Sequence, residues 1–186
     1  MINYPREKIV LFGTFIITLL FIISVVSISF IDTKLSASIT SMAFTNIIIG
    51  RVPSISLGTS LDLSILITVM ANFFTEMILT LFFYTLFLYS LNNVKLFKPL
   101  SKKIDYLQNT AIKYKAQIDK YGMFGLLLFV FFPFWMTGPV VGIIIGHLMN
   151  FSLIKNITIV FTGTLVALFC WAILIKYFIE YIQFIF

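Results

Sequence analysis

The chain reads as an all-α polytopic membrane protein, and three observations point there. Sixty per cent of its 186 residues are hydrophobic, 11% are charged and the mean hydropathy is +1.07, whereas soluble domains carry roughly 25% charged residues. Long charge-free runs recur, each near the ~20 residues a spanning helix needs. A further apolar stretch, Lys120–His147, is interrupted in its middle by Pro133, Gly138, Pro139 and Gly142. Each half offers about ten apolar residues, enough to reach the membrane midplane and turn back. The length suits one domain of a few helices. The single cysteine, Cys170, excludes an internal disulfide and a multi-cysteine metal site.

Residues 9–31 form the first expected span: Ile9–Ile31 carries no charge between Arg6-Glu7-Lys8 and Asp32. Its apolar core is too long for a signal peptide and Ser36-Ala-Ser is a poor cleavage site, so the helix is expected to be retained. Residues 35–62 balance Arg51 against Asp62 and contain Gly50, Pro53 and Gly58. They fit either an outer re-entrant hairpin or a plain interfacial loop. Residues 63–91 are the second span, polar only at Asn72, Glu76 and several threonines and serines. Residues 92–120 hold seven lysines against two aspartates, and lysine-rich short loops stay cytoplasmic. There Pro99 suits a first helical turn, and Leu100, Ile104, Leu107, Ala111, Tyr114 and Ile118 recur at helical spacing. This predicts a basic amphipathic helix lying on anionic lipid headgroups along Lys95–Lys120, or otherwise a solvated linker helix. Residues 121–149 are the re-entrant hairpin from inside. Residues 152–181 are the last span, with Ile157–Ile175 free of charge and Tyr177 and Tyr181 suited to an interfacial belt. A hairpin followed by a span would thus occur twice with opposite entry, an inverted repeat.

Glu76 is the one acidic or basic residue within Ile9–Ile31, Leu63–Leu91 and Ile157–Ile175, the apolar cores of the expected spans. A carboxylate at that depth costs a few kcal/mol even on the lenient scales, so it must face protein or water. Thr68, Asn72, Glu76, Thr80 and Tyr84 stand four apart and draw one polar stripe. Glu76, with Asn72, is the candidate for proton or cation coupling; the plainer reading is a bonded residue that holds helices together. Arg51 is expected to meet an anionic headgroup, pair with Glu76, or snorkel to the outer interface. His147 is either a proton relay that joins Glu76 and Asn72 in ion coupling or an interfacial side chain. Pro133, Thr137, Gly138 and Gly142 mark the hairpin tip, where free helix-end N–H groups suit a phosphate or carboxylate. Glu76→Gln is expected to abolish pH-dependent transport with little loss of folded protein. No phosphate-loop, metalloprotease or serine-hydrolase motif occurs, so an enzyme is not expected, nor a metal or cofactor. Asn150-Phe-Ser and Asn156-Ile-Thr match the glycosylation sequon, a pattern short enough to arise by chance.

The run Tyr121-Gly-Met-Phe-Gly-Leu…Phe132-Pro133-Phe-Trp-Met-Thr137-Gly138-Pro-Val-Val-Gly142 resembles the pattern Y-G-x-x-G-L…P-x-P-x-T-G-x-x-x-G of the small multidrug export protein family. That family is similar to the DedA/VTT (SNARE-associated Golgi protein) membrane proteins. Ala71-Asn72 looks like the family's Gly-Asn, and the resemblance covers roughly Arg51 to Phe161. It implies two opposed re-entrant helices and a role like that of lipid-carrier flippases and scramblases. This chain departs from the pattern at Ile47-Ile48-Ile49, where the family has Glu-Leu-Arg, at Trp135, its second proline, and at Pro139-Val140, its Ala-Trp. The acid–base groups of the family's first hairpin would then have to be replaced by Glu76 and Arg51.

The expected function is that of a small secondary transporter or lipid-carrier flippase in a prokaryotic cytoplasmic membrane, moving an amphiphilic substrate with proton or cation coupling. Its partners are the lipid bilayer and that substrate, with self-association into a homo-oligomer left open. Nucleic acid is not expected, since the positive charge is concentrated in one linker. The competing reading is a non-transporting structural or assembly factor whose broken helix only packs.

Overall fold

The computed structural model describes residues 6–91, 98–132 and 138–185, and every regular element among them is helical. Apolar segments away from water satisfy their own backbone groups this way. The order is α1 (Arg6–Ile31), α2 (Thr33–Ile48), α3 (Arg51–Ser60), α4 (Ile65–Leu91), α5 (Lys98–Asp119), α6 (Gly122–Phe131), α7 (Gly138–Leu148) and α8 (Leu153–Ile185). Helices α1, α4 and α8 are long and apolar enough to cross a membrane. They match the expected spans to within a few residues, α1 starting earlier at Arg6 and α8 running on to Ile185. Only 11% of the α1 span is buried against 44% for α4 and α8, so α1 is peripheral and the other two carry the core.

The segment 35–62 is two helices rather than a loop. The chain reverses at Gly50, whose φ of 120° and ψ of −178° suit glycine alone. The Ser54 hydroxyl ties the two arms by donating to the Met42 carbonyl at 2.8 Å. Helices α6 and α7 form the second pair, and Pro133, Trp135 and Thr137, between them, lie outside the described residues. Helices α3, α6 and α7 have 10, 10 and 11 residues, about 15 Å each at 1.5 Å per residue and half of a hydrocarbon core.

The same turn joins each pair to its long helix. After α3, Leu61, Asp62 and Leu63 donate to the carbonyls of Leu57, Thr59 and Gly58; after α7, Met149, Asn150 and Phe151 donate to Ile145, His147 and Gly146. Every partner in the second turn is 88 positions beyond its counterpart. Asp62 and Asn150 sit at φ 56° and 59°, the left-handed residue that closes a Schellman turn. Ser64 and Ser152 then cap α4 and α8 through Ile67 N–H and Lys155 N–H. Asn156 is 0% exposed, so its sequon is closed, whereas Asn150 holds the left-handed position of a helix stop with its side chain exposed.

Two glycines complete this correspondence. A Cβ on Gly58 would fall 2.7 Å from Thr68 Oγ1, and one on Gly146 would overlap the Asn156 carboxamide. Thr68 Oγ1 and Asn156 Oδ1 are buried without a hydrogen-bond partner. Each faces a glycine backbone at close range, the setting in which a weak Cα–H···O contact compensates in part. Helices α4 and α8 run antiparallel: Phe73 and Phe161 pack edge to face at 6.2 Å, while Ile55, Val69, Leu168 and Ala172 form the cluster towards the opposite end.

Helix α5 uses its apolar face differently from expectation. Ile104, Leu107, Ala111 and Ile118 are buried in the main core with Val141 and Ile143–Ile145 of α7. That face is taken up by protein rather than left free for lipid, and Lys102, Lys103 and Lys113 point outward.

These contacts predict opposite results for two glycines. Gly146→Ala should lower stability in detergent by about 1–3 kcal/mol, the usual penalty of overpacking. Gly13→Ala, with nothing within 4 Å of its added methyl, should leave the melting temperature unchanged or slightly raised. Equal melting of the two variants would show that the α7–α8 contact is loose.

Candidate functional site

Arg51 is the first residue of α3, directly after the Gly50 reversal, so its side chain enters the core from the tip of the first helix pair. It is 6% exposed. Its Nη2 lies 2.8 Å from Glu76 Oε2, and the two side chains are 5% and 8% exposed. Its Nη1 donates to the Val130 carbonyl at 3.3 Å, and Trp171 Nε1 donates to the Phe131 carbonyl at 3.3 Å. The last carbonyls of a helix have no partner within it, and the C-terminal end carries partial negative charge. Arg51 and Trp171 thus satisfy the broken end of α6. Gly138, which opens α7, lies beside the same pair of groups: a Cβ there would stand 3.6 Å from the Val130 carbonyl and 3.7 Å from Arg51 Nη2. Both helix breaks and the mid-point of α4 therefore converge on Arg51.

Asn72, one turn before Glu76, accepts from Asn46 Nδ2 at 2.5 Å and donates to the Thr68 carbonyl at 2.8 Å. The stripe Thr68, Asn72, Glu76, Thr80, Tyr84 is buried throughout, at 2, 1, 7, 1 and 1% exposure. At its far end Tyr84 Oη lies 3.0 Å from His147 Nδ1, and the imidazole packs edge-on against Phe87. Burial, and less strongly the positive charge of Arg6 on α1, lower the His147 pKa from its ordinary value. Gly138 and His147 are nine residues apart on α7, about 14 Å along the axis, so they belong to two centres.

The structure brings Arg51, Glu76 and Gly138 together, with Asn72 beside them. His147 stands apart with Tyr84. Gly142 lies in the helix crossing, where a Cβ would come within 2.6 Å of Val130 Cγ2. At Gly138 an added Cβ would meet only ordinary contacts, all at 3.5 Å or more, so close packing does not demand glycine there. Pro133 and Thr137 lie outside the described residues. Sequence reading missed Asn46 and Trp171. Asn46 was legible as a lone carboxamide in the apolar run Ala43–Ile49; nothing in the sequence marks Trp171 as the donor that finishes α6. Among the described residues no group of three or more His, Cys, Asp or Glu side chains could hold a metal.

The ion pair alters the expected behaviour of Glu76→Gln. Removing one charge strands the other in a buried setting, which costs about 3–5 kcal/mol where measured, whereas apolar replacement of both is often neutral. Arg51→Met and Glu76→Leu should each destabilise strongly. The double variant should recover most of the loss, short of about 1–3 kcal/mol for the Val130 carbonyl left without its donor. Unfolding of the three proteins in one detergent measures this; strictly additive losses would mean the pair is not coupled.

The family model described as "Putative small multi-drug export protein" matches residues 51–170, from the arginine of the ion pair to the residue before Trp171. No curated protein and no solved structure matches the chain. With three long apolar helices and more than half of its 186 residues matched, the chain is an integral membrane protein that belongs to the small multi-drug export protein family.

Proposed function

We propose that the protein is a secondary transporter or lipid-carrier flippase for an amphiphile with an anionic end, coupled to a proton or cation at Glu76. The observation that carries this reading is the buried Arg51–Glu76 pair at the meeting of two helix breaks. A guanidinium in that position can pair with Glu76 or with a cargo phosphate or carboxylate, one at a time. A proton on Glu76 releases Arg51 to the cargo; loss of that proton draws Arg51 back. Proton and anion then favour each other's binding, and by linkage the effect is reciprocal. Gly138, at the N-terminal end of α7, is proposed to offer its backbone N–H to the anionic end, with Gly142 setting the packing of that helix; Thr137 and Pro133 are proposed as further substrate-binding residues. Asn72 orients the acid's surroundings.

The two helix pairs are proposed to enter the membrane from opposite faces as an inverted repeat, a fold of the DedA/VTT type. Supporting this are the turn recurring after 88 residues and the antiparallel course of α4 and α8. An apolar groove of about 470 Å³ between α1, α2 and α4, walled by Phe21, Val25, Ile39, Ala71 and Phe74, suits a hydrocarbon tail. The basic outer face of α5 suits anionic headgroups of a cytoplasmic leaflet.

The competing reading, a structural or assembly factor, is favoured by the Arg51–Val130 bond, which makes the arginine a clasp. Transport by purified protein in liposomes separates the two. Screened over phospholipids, polyprenyl phosphates and lipophilic ions, wild-type protein should move at least one class at a rate set by the pH gradient. Glu76→Gln protein that remains folded should lose that pH dependence, and Arg51→Lys should fall at least tenfold. Unchanged pH dependence in both variants would return the pair to a structural role.

Sidedness is tested separately. On a Cys170→Ala background, cysteines at the exposed positions Asn109 and Asn150 should react only with membrane-permeant reagents in intact cells. A cysteine at exposed Asp62 should react with impermeant ones. Labelling of position 150 from outside excludes a hairpin entering from the cytoplasm.

A further inference from the structure

The buried threonines of the long helices behave alike, with two exceptions. Thr14, Thr75, Thr85 and Thr164 turn their hydroxyls back to the carbonyl four residues earlier, each at 2.8 Å. Thr68 and Thr80 do not, and both oxygens are buried without a hydrogen-bond partner. Thr68 faces Gly58, which accounts for it. Thr80, 1% exposed, has no such explanation. An unpartnered buried hydroxyl costs about 1–3 kcal/mol, a deficit that an internal water bonding it to neighbouring polar groups would offset.

Thr80 lies one helical turn from Glu76 and one from Tyr84, on the same face of α4, at steps of about 6 Å. Tyr84 Oη is bonded to His147 Nδ1 at 3.0 Å, and His147 is half-buried at the end of α7. We propose that His147, Tyr84 and Thr80 form the path by which a proton reaches Glu76 from the α7–α8 turn, with water completing the steps on either side of Thr80. The proposal rests on Glu76 being the group that takes up the proton.

The transfers balance. A proton taken by His147 Nε2 lets Nδ1 pass its own to Tyr84 Oη. The phenol hands its former proton to the next oxygen, and so on until the Glu76 carboxylate becomes a carboxyl. The imidazole is left as its other tautomer and both hydroxyls are neutral as before; reversal of the tautomer resets the path. The groups bearing on the route are Arg6 of α1, whose charge acts on the imidazole and on Tyr84, the Asn156 side chain beside Tyr84, Asn46 beside Glu76, and Arg51 of α3, paired with Glu76. Burial, and less strongly Arg6, disfavour a lasting imidazolium, so the histidine hands a proton on instead of storing it. Arg51 disfavours passage of a free cation beyond Glu76, which makes the acid the end of the path.

The test uses reconstituted full-length protein, a pH jump applied on the Asn150 side, and the carboxyl stretching band of Glu76 as readout. Thr80→Val is isosteric and Tyr84→Phe keeps the buried ring, so both should fold. Each should slow protonation of Glu76 about tenfold or more, while the fraction protonated at equilibrium stays that of the wild type. Wild-type protonation rates in both variants would overturn the path and leave Glu76 as the coupling acid. If the band is absent in wild-type protein and Glu76→Gln keeps its pH dependence, the coupling reading fails first and the path with it.

Discussion

A broken helix in apolar surroundings must find partners for the backbone groups that the break exposes. That constraint organises the centre of this protein. The carbonyls of Val130 and Phe131, at the end of α6, are served by a guanidinium and an indole from two other helices. The guanidinium then needs a counter-charge, since a lone cation at that depth would be costly. Glu76 supplies it at 2.8 Å. The acid, the arginine and the tryptophan form one chain of obligations that begins with an interrupted helix.

The two halves of the molecule meet this constraint unequally. Positions 88 apart share their turns, caps and glycine contacts. Yet Arg51 corresponds to Pro139 and Glu76 to Thr164. Thr164 is fully buried and bonds its own helix. The turns and caps recur while the charges do not, so the first helix pair and α4 supply the charges and the second pair supplies the helix end that they serve.

Composition and charge-free run length made the spans legible, because burial in lipid leaves no alternative to long apolar helices. The polar stripe on α4 was legible from spacing alone, and burial of all five residues agrees with it. Glycine and proline in 35–62 suggested a reversal, yet could not separate a hairpin from a loop; the conformation of Gly50 is visible only in the fold. The destination of the α5 face was not legible, because an apolar stripe is the same whether lipid or α7 covers it. His147 was grouped with Glu76 in the sequence, and the length of α7 separates them. Asn46 and Trp171 act across 26 and 40 residues of sequence, a range over which local pattern carries no information.

The indole of Trp171 has a consequence outside chemistry. The chain contains two tryptophans, Trp135 and Trp171, and the second donates directly to the last carbonyl of α6. Replacing Trp135 by phenylalanine would leave one intrinsic fluorophore whose N–H bond depends on how the helix pair is seated. Its emission maximum would report the arrangement of that tip, in lipid and without an added dye. The donor that completes a broken helix is thereby also an optical gauge of whether the break has moved.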